Sequence, residues 1–95
     1  GGYTRNYGWT TSPAWWKSVL YNNYSAHHAS TTLNGGRSFD SLSSDYNSAN
    51  NAIYPHTVGL ATVWRSLDGN DYPTRAQALD NGLASLGHAQ GTIGY

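Results

Sequence analysis

The sequence contains no cysteine, no methionine and no glutamate. Without cysteine, no disulfide framework supports a core that is marginal at 95 residues. Without glutamate, the closing bidentate ligand of an EF-hand cannot be supplied. Charge is also scarce: 11% of residues are charged, against about 25% in an ordinary globular chain. Five Asp are balanced by four Arg and one Lys, for a formal net charge of zero. That balance excludes the basic stripe a nucleic-acid binder needs to displace counterions, and equally a polybasic membrane-surface peptide. Apolar stretches are interrupted well short of the ~20 residues that span a bilayer. No charged-then-apolar signal segment is visible. The chain opens on Gly1-Gly2 without Met, as a trimmed, exported product would. Lack of both oxidisable sulfur residues suits an extracellular setting.

Glycine, Ser, Thr, Asn and aromatic residues fill the space that charge leaves. Four Trp, eight Tyr and one Phe offer far more burial than a disordered chain carries. Residues 3–9 alternate loosely between aromatic and polar and read as a short strand, ended by a turn at Thr11-Ser12-Pro13. Residues 15–24 carry strand-favouring types. Helical spacing of Trp16, Val19, Leu20 and Tyr24 is the competing reading, weakened by Asn22 and Asn23. From His27 to Leu33 the pattern has period two and runs into Asn34-Gly35-Gly36, so a hairpin returning through Arg37 to Ser41 is expected. Residues 41–52 are small and polar and read as a long loop that Tyr46 pins down. Thr57 to Leu67 alternates regularly and reads as one strand, closed by a turn at Asp68-Gly69-Asn70-Asp71. Ala76, Leu79, Leu83 and Leu86 then recur at helical spacing, with Thr74 as N-cap and Gly87 as C′. A hairpin turn at Asp80-Asn81-Gly82 is the alternative there.

These readings assemble into a mainly β protein, a small antiparallel β-sandwich with a short C-terminal helix. One secreted domain covers residues 1–95: a β-rich body over 1–72, the helix over 73–87 and a tail over 88–95.

Catalytic and metal chemistry find little support. His27 and His28 would point to opposite faces of a strand and cannot share one metal, and no Cys or Glu completes a set with His56 or His88. No Gly-x-Ser-x-Gly elbow accompanies the Ser, His and Asp residues. The pairs Asp40 with Asp45 and Asp68 with Asp71 lie in polar stretches that would not raise a carboxyl pKa for acid catalysis. No enzyme activity, metal or cofactor is therefore expected. A small hydrolase using Asp40, Asp45 or His56 is the weaker alternative. The aromatic excess points instead to binding. So small a domain cannot bury every ring, and exposed Trp and Tyr give large, stiff contact area for sugars and glycolipid headgroups. Trp15-Trp16 in a strand would direct one indole inward and one outward; the competing reading is that the rings simply form the core, which is favoured for Trp64.

Several short segments resemble the lactococcin 972 family of secreted bacteriocins: Gly1-Gly2, Tyr7-Gly8, the run Val19 to Tyr24, and His28-Ala29-Ser30-Thr31-Thr32-Leu33-Asn34-Gly35. Val58 to Trp64 with Gly69-Asn70 is similar to its later strand and turn. Asn22 stands where the family carries Ser, and residues 74–86 are additional. The resemblance implies a cysteine-free β-sandwich, export, and arrest of Gram-positive cell-wall synthesis through lipid II. On this reading the binding residues are Trp9, Trp15, Trp16, Tyr21, Tyr24 and His28, with Arg37 placed to meet a phosphate. The second reading is a carbohydrate-binding or adhesion module of an extracellular protein, using the same rings on a cell-surface glycan.

Overall fold

The computed structural model describes residues 14–17, 19–20, 30–33 and 35–88. The expected strand at 3–9, the turn at 11–13 and most of the tail lie outside the described residues. Within them the elements run α1 (Trp15–Lys17), α2 (Phe39–Ala52), β1 (Tyr54–Val58), β2 (Ala61–Arg65), β3 (Asp71–Tyr72) and α3 (Arg75–Ser85). The expected β-sandwich is overturned. The described residues hold one three-stranded antiparallel sheet, in the order β1-β2-β3, and helices supply the packing layer that a second sheet would have provided.

α2 occupies the stretch expected to be a loop. Its Ser and Asn content is unfavourable to a helix, but Phe39, Leu42, Tyr46, Ala49 and Ile53 recur at alternating three- and four-residue steps. That spacing makes one apolar stripe, and burying a stripe outweighs weak propensity. Phe39, Leu42, Ala49 and Ile53 are buried, and Tyr46 packs against them. Ser38 caps the helix by accepting from Ser41 N at 3.0 Å, and Asp40 sits in the first turn, where the helix dipole favours a carboxylate.

Of the hairpin expected over 27–41, residues 27–29 and 34 lie outside the described residues; from Thr31 to Phe39 the arms are joined, with Leu33 N donating to Arg37 O and Phe39 N to Thr31 O. Gly35 and Gly36 adopt φ of 89° and 82°, Gly36 N donates to Leu33 O, and a single bridge joins Thr32 to Ser38. The returning arm then becomes α2, because Phe39 starts the buried stripe. The strand expected over 57–67 is instead two strands. Gly59 has φ 64° and Leu60 does not share the positive sign, the pattern of a II′ turn, so the chain reverses and Val58 pairs with Ala61. Period-two alternation is the same before and after a two-residue reversal. The turn at 68–71 forms as expected: Asn70 N donates to Asp68 Oδ1 at 2.8 Å, with Gly69 at φ 86°.

α3 appears where the sequence placed a helix, which settles the alternative at residues 80–82. Thr74 accepts from Gln77 N at its start. At its end Gly87 N donates to Ala84 O and His88 N to Leu83 O, the paired bonds of a Schellman motif around Gly87 at φ 98°. The helix packs against α2 on one side and against β2 and β3 on another.

One carboxylate fixes the N-terminal segment to this helix. Asp80 lies buried on α3, and both its oxygens accept from Ala14 N at 3.0 Å while Oδ1 also accepts from Trp16 Nε1 at 2.8 Å. Trp15, Trp16 and Val19 thereby enter the core beside Leu79 and Leu83. Burial raises the Asp80 pKa above the ordinary carboxylate value, a shift only partly opposed by the Ala14 and Trp16 bonds. Its contribution is therefore largest below the unfolded-state pKa and diminishes as pH rises through the higher folded-state value.

Two predictions follow from this packing. Asp80→Ala removes the acceptor that Ala14 N and the buried Trp16 Nε1 share, and chemical denaturation at neutral pH should show a loss of about 1–3 kcal/mol. Gly82→Ala would ordinarily strengthen a helix, but here an added Cβ would come within 3.0 Å of Ser66 Oγ and 3.1 Å of Leu67 Cδ1. Ser66 cannot give way, since its buried hydroxyl donates to Ala78 O at 2.6 Å. Thermal melts should show this variant less stable than the parent, by roughly 1 kcal/mol.

Candidate functional site

The aromatic contact surface expected from the sequence is not at Trp15 and Trp16. Both are interior, at 1% and 5% relative exposure, so neither indole can face a ligand. The physical reason is helical geometry: α1 with the Asp80 clamp turns both rings toward the core, whereas a strand would have separated them. Trp16 lies against Tyr46 at a centroid distance of 4.8 Å. Trp9, Tyr21, Tyr24 and His28 lie outside the described residues. Arg37 is exposed, but its donors are engaged within the protein. Nη1 donates to Leu86 O at the end of α3, Nε and Nη2 to Ser41 Oγ, and Nη2 also approaches Asp45 Oδ2 at 3.4 Å. Arg37 thus ties α2 to α3, and a phosphate would have to displace those contacts. Trp64 packs against the core, as expected for its strand, with the Arg75 guanidinium 5.8 Å from its ring.

A different surface carries exposed chemistry. Tyr54, His56 and Val58 alternate onto one side of β1, and their direct partners Arg65, Val63 and Ala61 lie on the same side of β2. Asp71, opposite Arg65, extends that face onto β3. Trp64 and Tyr72 are paired on the reverse face and pack toward the core. The first set therefore forms the outer face of the sheet.

Asp71 organises the polar half of this face. Its Oδ1 lies 2.7 Å from His56 Nε2 and accepts from Arg65 Nε at 2.6 Å, while Arg65 Nη2 reaches Oδ2 at 3.4 Å. The Arg65 bond, followed by that of His56, lowers the Asp71 pKa to about 2. Tyr54 leans over the His56 ring at 5.8 Å and is 50% exposed. The result is an imidazole and a guanidinium held side by side by one carboxylate, with a half-exposed phenol ring beside the imidazole. Such a set can stack on a sugar ring and donate to its hydroxyls or to a phosphate. The cluster is hidden in the sequence because the alternation over 57–67 is that of one continuous strand. Only recognition of Gly59 as a reversal brings Tyr54 opposite Arg65.

A second polar cluster is interior. His88 is fully buried, with Nε2 2.6 Å from Asp45 Oδ2 and Nδ1 without a hydrogen-bond partner among the described residues. The Asp45 carboxylate is an acceptor, so Nε2–H is the donor. With no surface opening at the ring, this pair serves to hold α2 against the end of α3. Among the described residues no concave pocket is present, and no three His or Asp side chains are disposed to hold a metal ion. No described helix is long and apolar enough to cross a membrane. Comparison with protein-family models, curated proteins and solved structures finds no match to this chain.

The Asp71 cluster gives a direct titration test. In the parent protein the Asp71 carboxyl should titrate near 2 by carbon-detected NMR. Arg65→Gln should move that midpoint up toward the ordinary Asp value. Because the folded-state pKa lies below the unfolded one, the cluster's stabilisation is present above the unfolded value and is lost as pH falls through the folded one.

Proposed function

We propose that the protein is a secreted antibacterial that acts by binding, without a catalytic step, and that its contact surface is the outer sheet face bearing Tyr54, His56, Arg65 and Asp71. The observation carrying this reading is a half-exposed aromatic ring beside an imidazole and a guanidinium that Asp71 fixes through His56 Nε2 and Arg65 Nε, which leaves the Arg65 Nη1 end to meet a ligand. The ligand class that fits is a phosphorylated or neutral sugar headgroup. The resemblance to the lactococcin 972 family supplies the biological setting: a cell-wall precursor such as lipid II on Gram-positive cells. The corrected fold removes the β-sandwich from that resemblance, whereas Gly1-Gly2, Tyr7-Gly8 and Tyr21 to Tyr24 fall outside the described residues. The binding reading therefore rests on the sheet face and on the chain's neutrality, which argues against a cationic membrane-lytic mode.

Growth inhibition of Gram-positive strains tests it. The parent protein should arrest growth, and an excess of soluble, pyrophosphate-bearing wall precursor should protect the cells. Tyr54→Ala and Arg65→Gln should each raise the inhibitory concentration roughly tenfold, since Tyr and Arg dominate contact energetics. Full potency in both variants would remove this face from the proposal. Binding to cell-surface glycan without growth arrest would instead identify a carbohydrate-binding module.

A further inference from the structure

The free end of the β1–β2 hairpin calls for an explanation that folding does not supply. From Thr57 to Thr62 every residue is exposed, on both faces of the hairpin, so the tip stands clear of the body. Leu60, at the second central position of the turn, is 107% exposed, and Val58 beside it is 53% exposed. Turn geometry asks for a positive φ at Gly59, which is met, but asks nothing apolar of the next position. A polar residue there would fold equally well and would avoid exposing a whole leucine side chain to water. The surrounding residues share the anomaly: Thr57-Val58-Gly59-Leu60-Ala61-Thr62-Val63-Trp64 contains no charged side chain. The first charged or titratable groups on the two arms are His56 and Arg65, with Tyr54 next to them.

We infer that the Gly59–Leu60 tip is a lipid anchor, inserting Val58, Leu60 and Ala61 into the outer part of a bilayer while Tyr54, His56 and Arg65 lie at headgroup depth. The polarity gradient along the hairpin matches that of a bilayer interface. The tip is apolar, Thr57 and Thr62 are mildly polar, and an aromatic with a guanidinium follows at the level where such groups are favoured. The reach also fits: three residues of strand span about 10 Å, comparable with the ~5–10 Å to which interfacial segments enter a membrane. Within the tip the Val58–Ala61 pair turns its backbone groups inward to each other, whereas those of Thr57 and Thr62 point outward and need water or headgroups, so the insertion is held at interfacial depth.

A second copy of the chain is a poorer occupant. A six-residue convex tip cannot supply the roughly 800 Å² per partner of a stable protein interface. The free edge of β1 is also blunted, since Pro55 has no N–H to offer an added strand. Arg65 is engaged by Asp71, and the tip itself is uncharged, so the attraction is apolar and not electrostatic.

This inference goes beyond the antibacterial reading and needs no wall precursor, so its test uses vesicles alone. Cosedimentation of the full chain with phosphatidylcholine vesicles should show binding that changes little when phosphatidylglycerol is added or salt is raised. Leu60→Asp should weaken it roughly 10- to 100-fold. Leu60→Phe should retain it, and both variants should keep the parent's circular dichroism because the side chain touches nothing that folding requires. Failure of the parent to bind vesicles overturns the inference. So does equal binding by Leu60→Asp, or a dimer in sedimentation analysis that Leu60→Asp dissociates in the absence of lipid. None of these outcomes bears on precursor competition, which reads the sheet face separately.

Discussion

The carboxylate of Asp80 is the interaction on which the described architecture depends. It is buried, it has no cationic partner among the described residues, and it serves three bonds to two N–H groups at the start of α1. Ala14, at φ 64°, is held in a conformation that an alanine rarely adopts. The clamp offsets that strain by making the same amide the donor to both oxygens. Desolvation raises the Asp80 pKa, so the charge is kept at some cost, and a well-packed apolar residue designed together with its surroundings could replace it. Removing the carboxylate alone is different, because the donors would remain behind in a dry interior. A single polar contact thus decides where two of the four tryptophans go.

That placement changes how the aromatic content is to be understood. Trp15 and Trp16 build the core together with Tyr46, and Trp64 closes it from the sheet side. In a chain short of large aliphatic residues, the indoles take the role that Leu and Ile perform elsewhere. What remains for recognition among the described rings is Tyr54, which sits on the outer face because it is the first residue of β1 and precedes His56 by one pleat. On the proposed binding reading, the contact ring is a tyrosine in place of the tryptophan pair, and an aromatic, nearly uncharged chain suits the same class of ligand.

The sequence made some of this legible and hid the rest for identifiable reasons. α3 was visible because Thr74, the Leu79–Leu83 spacing and Gly87 act locally and agree with one another. The turn at Gly35-Gly36 was visible because positive φ belongs to glycine. α2 was obscured by its Ser and Asn residues, although Ser38 and the steps from Phe39 to Ile53 carried the signal. There weak helix propensity masks a clear apolar periodicity. The split of 57–67 into two strands was hidden more deeply, since alternation continues through a two-residue reversal and only Gly59 marks it. The Asp71 cluster followed that error: His56, Arg65 and Asp71 converge only when the reversal and the next turn are both in place. The Asp80 clamp spans more than sixty positions and has no local signature.

The same hairpin that misled the sequence reading concentrates what the core cannot absorb. Its inner face at Trp64 is committed to packing, and its outer face at Tyr54, His56, Arg65 and Asp71 is polar and tied together. Beyond those residues none of the described residues packs against the arms, so the exposed apolar side chains there take no part in the described core. An exposed two-stranded tip risks edge-to-edge association. In an antiparallel ladder closed by a II′ turn, alternate residues of β1 direct their backbone groups away from β2, and these are Pro55 and Thr57. Proline removes one of those outward donors. The edge is therefore made poor for strand addition while the turn keeps its leucine, a combination that disfavours self-association and leaves an apolar surface available to a different kind of partner.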